Sequence, residues 1–188
     1  ARALPVLAEV ELSSRLLPGV VVAITGTNGK STTTALVAAL LRDSGHDAVA
    51  CGNFGTPWIS FAARDAASDA PKTWVVELSS FQLEGTLRFA PDVAVHLNLT
   101  PDHLDRYRGL DDYGAAKARI FAFQKDAQIA VVNADDPLVS RIVTRARRLE
   151  FSRARDLARG AWLKDGLFLA DVSGKGPRLV ARREHLAL

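Results

Sequence analysis

Residues 26–32 read GTNGKST and stand between a β-branched run, Val20–Thr25, and a helically periodic stretch that begins at Lys30. A helix start offers free backbone N–H groups and the positive end of the helix dipole. Lys30 adds a full charge there, so the natural ligand is a polyphosphate. On this reading the amides of residues 27 to 32 hold phosphates, Lys30 reaches the terminal ones and Ser31 binds Mg²⁺. The common phosphate-loop pattern wants its first glycine where Ile24 stands; the first here is Gly26, so the loop is two residues shorter. The plainer alternative is a glycine turn capped by Thr27 or Asn28, with Lys30 in solvent.

Three other residues could join this chemistry. The run TWVVEL places Glu77 after hydrophobic residues, the pattern of a strand-end carboxylate facing a phosphate loop across magnesium. NLTPDHLDRY follows another apolar run and gathers Asn98, Asp102, His103 and Asp105. A loop histidine is usually only solvated, and His103 gains interest from sharing an edge with Lys30 and Glu77. In DDYGAAKARIFAF, helical spacing puts Tyr113, Ala116, Lys117, Ile120 and Phe121 on or next to one apolar face. Lys117 either snorkels to water or is held near the site with a depressed pKa.

The elements that must position these groups alternate. Strand-like runs recur at 20–25, 47–52, 73–78, 93–99 and 129–133, with helical patterns at 30–44, 57–67, 81–88, 111–124 and 136–146. Alternation of this kind predicts an α/β fold, a mostly parallel sheet with helices on both faces. Ligands bind such sheets just beyond the carboxyl ends of the strands, where the four candidates would meet. In the 30–44 helix, Leu36, Val37, Leu40 and Leu41 share a face, and Gly45 stands at the C-cap. Beyond residue 147, AWLKDGLFLA reads as a hairpin turning at Lys164-Asp165-Gly166, and RLVARREHLAL adds a strand, giving a small antiparallel appendage.

The bulk numbers bound the class. The 188 residues are nearly half apolar, without low-complexity tracts, and suffice for one domain with a core. No apolar run has membrane length and no signal peptide precedes residue 20, so no membrane role is expected. The single cysteine, Cys51, fits a reducing, cytoplasmic setting. Methionine is absent even at residue 1, so a piece of a longer chain or a processed product is expected. Residues 1–140 carry a net charge of −4 and residues 141–188 a net of +7. With no aromatic interleaving and no reader motif, the basic stretch reads as a solvated or domain-facing surface, not a nucleic-acid site.

Six motifs in order, GTNGKST (26–32), GNFG (52–55), ELSSFQLE (77–84), NLTPDHLDR (98–106), YGAAKARI (113–120) and VVNADD (131–136), make the chain resemble the Mur ligase family. These are ATP-dependent amide-forming enzymes of peptidoglycan synthesis; GTNGKST with ELSSFQL resembles the D-glutamate-adding branch. The resemblance implies a P-loop NTPase-like central domain over residues 16–188. Residues 1–15 would be a linker from an N-terminal UDP-binding domain, and a C-terminal amino-acid-binding domain would lie beyond the chain. It implies ATP on Gly26, Thr27, Asn28, Gly29, Lys30, Ser31 and Thr32, with two Mg²⁺ ions. Ser31 and Glu77 would hold one ion and His103 the other, with Lys117 as a carbamylated oxygen ligand. Asn53, Ser79, Ser80 and Gln82 would contact UDP-N-acetylmuramoyl-L-alanine, the acceptor of D-glutamate. The chain alone, a monomer on this view, would keep the phosphate and metal apparatus without making product. The open alternatives are another Mur-type or folylpolyglutamate-type ligase, and a nucleotide-binding module without ligation.

Overall fold

The computed structural model describes residues 6–66 and 72–185. The described residues form one nine-stranded sheet in the order β2-β3-β1-β4-β5-β6-β7-β8-β9. Its strands are β1 (Val20–Thr25), β2 (Ala48–Gly52), β3 (Thr73–Glu77), β4 (Val93–His96), β5 (Ile129–Asn133), β6 (Arg147–Ser152), β7 (Gly160–Lys164), β8 (Leu167–Asp171) and β9 (Arg178–Arg182). The first seven pair in parallel, and β7–β8–β9 are antiparallel. The helices are α1 (Glu9–Leu16), α2 (Lys30–Asp43), α3 (Ala62–Asp65), α4 (Ser80–Glu84) and α5 (Leu110–Ala118). No helix among the described residues is long and apolar enough to cross a membrane.

The central strands are apolar because both faces are covered. Ile24 and Val75 pack with Ala38 of α2 on one face. Ala23, Val76 and Ala94 point to the other, where Tyr113, Ala116 and Ile120 close the larger core. Trp58, Trp74 and Phe89 belong to that core, with ring centroids 6.1 and 6.4 Å from Trp58. Helix α2 ends in paired reverse bonds, His46 N–H to the Leu41 carbonyl and Gly45 N–H to that of Arg42, as the glycine predicted.

Several expectations need correction. The buried residues of α2 are Thr34 and Ala38, flanked by Val37 and Leu41, while Leu36 and Leu40 are each 56% exposed. The small Ala38 lets the helix sit close over Ile24, and that rotates the leucines outward. The helix predicted over 136–146 is only a 3₁₀ turn, Val139–Arg141. Asp136 starts it by accepting the Leu138 and Val139 amides, and Ile142 is already extended. β4 stops at His96, three residues short of the predicted end, because Leu97, Asn98 and Leu99 turn to serve the loops described below. Strand β6 was not foreseen; its charged residues hide a strand held by parallel pairing with β5. The predicted helix at 57–67 is a 3₁₀ turn, Trp58–Phe61, followed by α3, and residue 67 lies outside the described residues. The helix near 81–88 is the shorter α4.

The hairpin forms as read: Asp165 and Gly166 take positive φ of 49° and 76°, the two-residue turn that suits strand twist. It is not detached, since β7 continues the main sheet. Within the stretch expected as linker, α1 packs on the domain through Val10, Glu11 and Ser13. The fully buried Glu11 accepts three backbone N–H bonds, from Leu87, Arg88 and Phe89, and two from the Arg15 guanidinium. Burial alone would raise its pKa, but these donors together hold the carboxyl below the usual range.

Candidate functional site

The phosphate-type loop is held from outside by the segment after β4. Thr27 and Asn28 donate their amides to Asn98, at 3.0 Å to its carbonyl and 2.9 Å to its Oδ1, and Asn98 Nδ2 returns a bond of 3.0 Å to the Asn28 carbonyl. The Thr100 amide donates to Thr27 Oγ1. Gly26 has φ +156°, and a Cβ there would stand 3.0 Å from Leu97 Cβ and 3.3 Å from the Asn98 nitrogen. Gly29 is the N-cap of α2 in the left-handed region, and no side chain caps the helix. The first helical bond runs from Thr33 N–H to the Gly29 carbonyl, so the amides of Lys30, Ser31 and Thr32 lack helical acceptors. Of the plainer reading, the cap is missing, since Thr27 and Asn28 are engaged with the neighbouring loop, while Lys30, partly exposed, has its Nζ donating 2.8 Å to the Thr27 carbonyl.

Glu77 ends β3 beside this loop, in register with Ile24 on one side and Gly52 on the other. It is 2% exposed. Asn53 donates its amide to the Glu77 carbonyl and its Nδ2 to Oε1, both at 2.9 Å. Oε2 is buried with no hydrogen-bond partner among the described residues. A buried carboxylate oxygen without a donor is expensive unless a cation or donor joins it.

Lys117 closes the arrangement from the side of α5. It is 1% exposed, its Nζ donates 2.8 Å to the Gly26 carbonyl, and it sits 4.7 Å from the Tyr113 ring centroid. Snorkelling is excluded by that burial. Desolvation first, and then the like charge of Lys30, lowers its pKa to about 8, with Asp102 and Glu77 pulling the other way. The charges of Lys30, Glu77 and Asp102 are thus all felt at one amine. His103 stands further out, about half exposed, with φ +51°. Its ring lies 6.0 Å from Tyr113 and 5.0 Å from Phe81, and Nε2 is 3.5 Å from Asp102. Tyr113 thus lies beside both His103 and Lys117.

The remaining candidates divide. Asn53 is exposed at the rim and tied to Glu77. Ser79 and Gln82 cap α4 reciprocally, Gln82 N–H to Ser79 Oγ and Ser79 N–H to Gln82 Oε1, while Ser80 is buried. Their first task is to start a short helix after Glu77. No group of three His, Cys, Asp or Glu side chains that could hold a metal ion occurs among the described residues. Mg²⁺ keeps waters and phosphate oxygens and needs only one or two protein oxygens, and the unpartnered Glu77 Oε2 is of the kind it takes. Sequence reasoning passed over Asn98 as loop anchor and Tyr113 as the ring that neighbours both Lys117 and His103. An amide side chain just past a buried strand was the signal for the first; nothing in the letters marked the second beyond its apolar face.

Comparison with known proteins bears on this edge. Residues 24–159 match the model of the Mur ligase middle domain. A UDP-N-acetylmuramoylalanine–D-glutamate ligase of Pelotomaculum thermopropionicum is 41% identical over 187 residues, 98% of this chain and 40% of the relative. One from Acidobacterium capsulatum is 47% identical over 169 residues, 88% of this chain and 36% of the relative. The chain thus spans about two fifths of the curated relatives it matches. A solved UDP-N-acetylmuramoyl-L-alanyl-D-glutamate–2,6-diaminopimelate ligase superposes with a TM-score of 0.66 at 25% identity, covering 92% of this chain and 41% of that one. A MurF ligase from Thermotoga maritima, solved in complex with ADP, gives 0.60 at 22% identity over 91% of this chain and 42% of that one, a likeness of fold.

Proposed function

This chain belongs to the Mur ligase family as its middle domain, and from that premise we propose that it is the ATP-binding part of a ligase adding D-glutamate to UDP-N-acetylmuramoyl-L-alanine. The observation that carries the reading is Lys117: a buried amine bonded to the Gly26 carbonyl of the phosphate loop, within the fields of Lys30 and Glu77. A domain that only held nucleotide has no use for such a group.

The uncapped start of α2 and its Lys30 bind the phosphates. The γ-phosphoryl group passes to the substrate carboxylate, giving an acyl phosphate and ADP. The D-glutamate amine attacks that carbonyl, forms the amide and expels inorganic phosphate. Both reacting partners are anionic at the first step, so the positive field of Lys30 and the helix start offsets their repulsion. Mg²⁺, held by Ser31 and Glu77, would supply charge neutralisation at the terminal phosphates. The unpartnered Glu77 oxygen is the feature of this chain that fits it. His103 at the rim would hold the second ion. Lys117, whose lowered pKa leaves a usable neutral fraction near pH 8, would take up CO₂ as a carbamate and become an oxygen donor to that ion. Asn53 would steer the muramoyl-alanine end, with Ser79, Ser80 and Gln82 shaping the floor beneath it. Acceptor recognition would come from parts of the protein outside this chain, and the chain alone would bind nucleotide without ligating.

Isothermal titration of the chain with ADP, with and without Mg²⁺, tests the nucleotide half. Saturable binding strengthened by Mg²⁺ and lost in Lys30→Ala is expected; binding indifferent to both would overturn it. A product assay on the full-length protein with D-glutamate against L-lysine and meso-diaminopimelate tests the ligase half. Preference for either of the latter two would reassign the substrate.

A further inference from the structure

The run VVNADD (131–136) supplies no group to the site above, yet two of its side chains reach the segment that holds the phosphate loop. Asn133 Nδ2 donates 2.8 Å to the Leu97 carbonyl, while its Oδ1 accepts the Asp135 amide at 2.9 Å. Asp136 Oδ2 accepts the Leu99 amide at 2.7 Å, and its Oδ1 takes those of Leu138 and Val139 at 2.9 and 3.0 Å. The backbone is therefore fixed just before and just after Asn98. On its other side the same segment bonds the phosphate loop. The Asn98 carbonyl and Oδ1 accept the Thr27 and Asn28 amides, and Nδ2 returns to the Asn28 carbonyl. Thr27 Oγ1 accepts the Thr100 amide and donates to the Thr100 carbonyl.

The peptide unit between Asn98 and Leu99 is held at both ends, its N–H by the Asp136 carboxylate and its carbonyl by the Thr27 amide. Hydrogen bonds in such a chain polarise one another, so the carboxylate strengthens the bond to Thr27. The Asn98 side chain must meet a carbonyl and an N–H of the same residue at good angles, which a backbone fixed on both sides allows. The arrangement also divides the loop. Of the amides of residues 27 to 32, those of Thr27 and Asn28 are engaged by Asn98, whereas those of Lys30, Ser31 and Thr32 lack helical acceptors. We propose that Asn133 and Asp136 are positioning residues for the nucleotide: through Asn98 they fix Thr27 and Asn28, so that the phosphates are met by the amides of Lys30, Ser31 and Thr32. This inference rests on the reading of the loop as a phosphate site.

Two isosteric exchanges each break one of the two outer bonds. In Asp136→Asn the retained oxygen keeps the Leu138 and Val139 amides, and the new NH₂ meets the Leu99 N–H, donor against donor. In Asn133→Asp the retained oxygen keeps the Asp135 amide, and the new oxygen meets the Leu97 carbonyl, acceptor against acceptor. The first removes a negative charge and the second adds one. Amide hydrogen exchange of the nucleotide-free chain reads the loop. Both variants should speed exchange at Thr27 and Asn28 about tenfold or more beyond any change in the slow amides of β1 and β3. No acceleration there, or the same acceleration at every slow amide, as a merely structural role would give, would overturn the proposal. Calorimetry with ADP and Mg²⁺ reads the consequence. Both variants should weaken binding about three- to tenfold. Each combined with Asn98→Ala should weaken it by less than the product of the two single effects. An effect of charge alone would move the variants in opposite directions, tighter for Asp136→Asn and weaker for Asn133→Asp. That result, or a full product with Asn98→Ala, would also overturn the proposal. A parent chain that binds no ADP would overturn the phosphate reading and the nucleotide role with it, while the exchange rates would still report whether Asn133 and Asp136 set the loop.

Discussion

Replacing Lys117 by Met removes a charge while keeping most of the volume, and the structure says what that does to stability. The folded amine titrates near 8 against an ordinary 10.5. At about 1.36 kcal/mol per pH unit, holding the ammonium in the fold costs roughly 3 kcal/mol at pH 7. Against this stands its charge-assisted bond to the Gly26 carbonyl, about 1.5–3 kcal/mol gross, which the variant also loses. Lys117→Met should therefore be as stable as the parent or up to about 2 kcal/mol more stable at pH 7, while any function of the amine disappears. The pH profile sharpens the test. The folded chain releases the proton near pH 8 and the unfolded chain only near 10.5, so between them the unfolded state holds more protons. Stability of the parent should rise with pH across that window, and the rise should be absent in Lys117→Met. Urea unfolding followed by tryptophan fluorescence at several pH values from 7 to 10 reads both. A variant more than about 1 kcal/mol less stable at pH 7, or one keeping the parent's slope, would refute the assignment of Lys117 as a buried, strained charge.

Glu11→Ala should destabilise the chain by about 3 kcal/mol, since it removes the shared acceptor of three backbone amides, that of Phe89 fully buried, and of the Arg15 guanidinium. Because the folded Glu11 carboxyl lies below its ordinary value, the parent should lose this stabilisation as pH falls from about 4.5 through the folded pKa, a loss missing from the variant in acid unfolding curves. Glu77→Gln should leave the fold intact, keep Mg²⁺-free ADP affinity and cut the Mg²⁺-dependent gain about tenfold or more by calorimetry. Gly26→Ala should push on Leu97 and the Asn98 backbone and weaken ADP binding about tenfold, with circular dichroism little changed.

Much of the fold was legible because its signals are local. Strands such as Thr73–Glu77 carry an unbroken apolar middle, Trp74 to Val76, since both faces are covered, and the glycine, lysine and serine of the first loop announce a phosphate site by type and spacing. What misled was equally local. The periodicity of 136–146 gave no sign that the turn Asp136 starts would stop at the extended Ile142, and the arginines of β6 concealed a strand that exists because β5 offers it an edge.

The sequence by itself determined the alternation, the loop and the apolar face that carries Lys117, because helix and strand periods fix which residues share a side. Only the tertiary structure decided that Lys117 would be enclosed over Gly26, that one Glu77 oxygen would be left without a donor, and that Asn98 would clamp the loop. Those are contacts between segments some 70 to 90 positions apart. They arise from the order of parallel strands, which brings β1, β3 and β4 side by side with their carboxyl ends on one edge. Burial and field at that edge belong to no residue alone, so no reading of letters in turn can supply them.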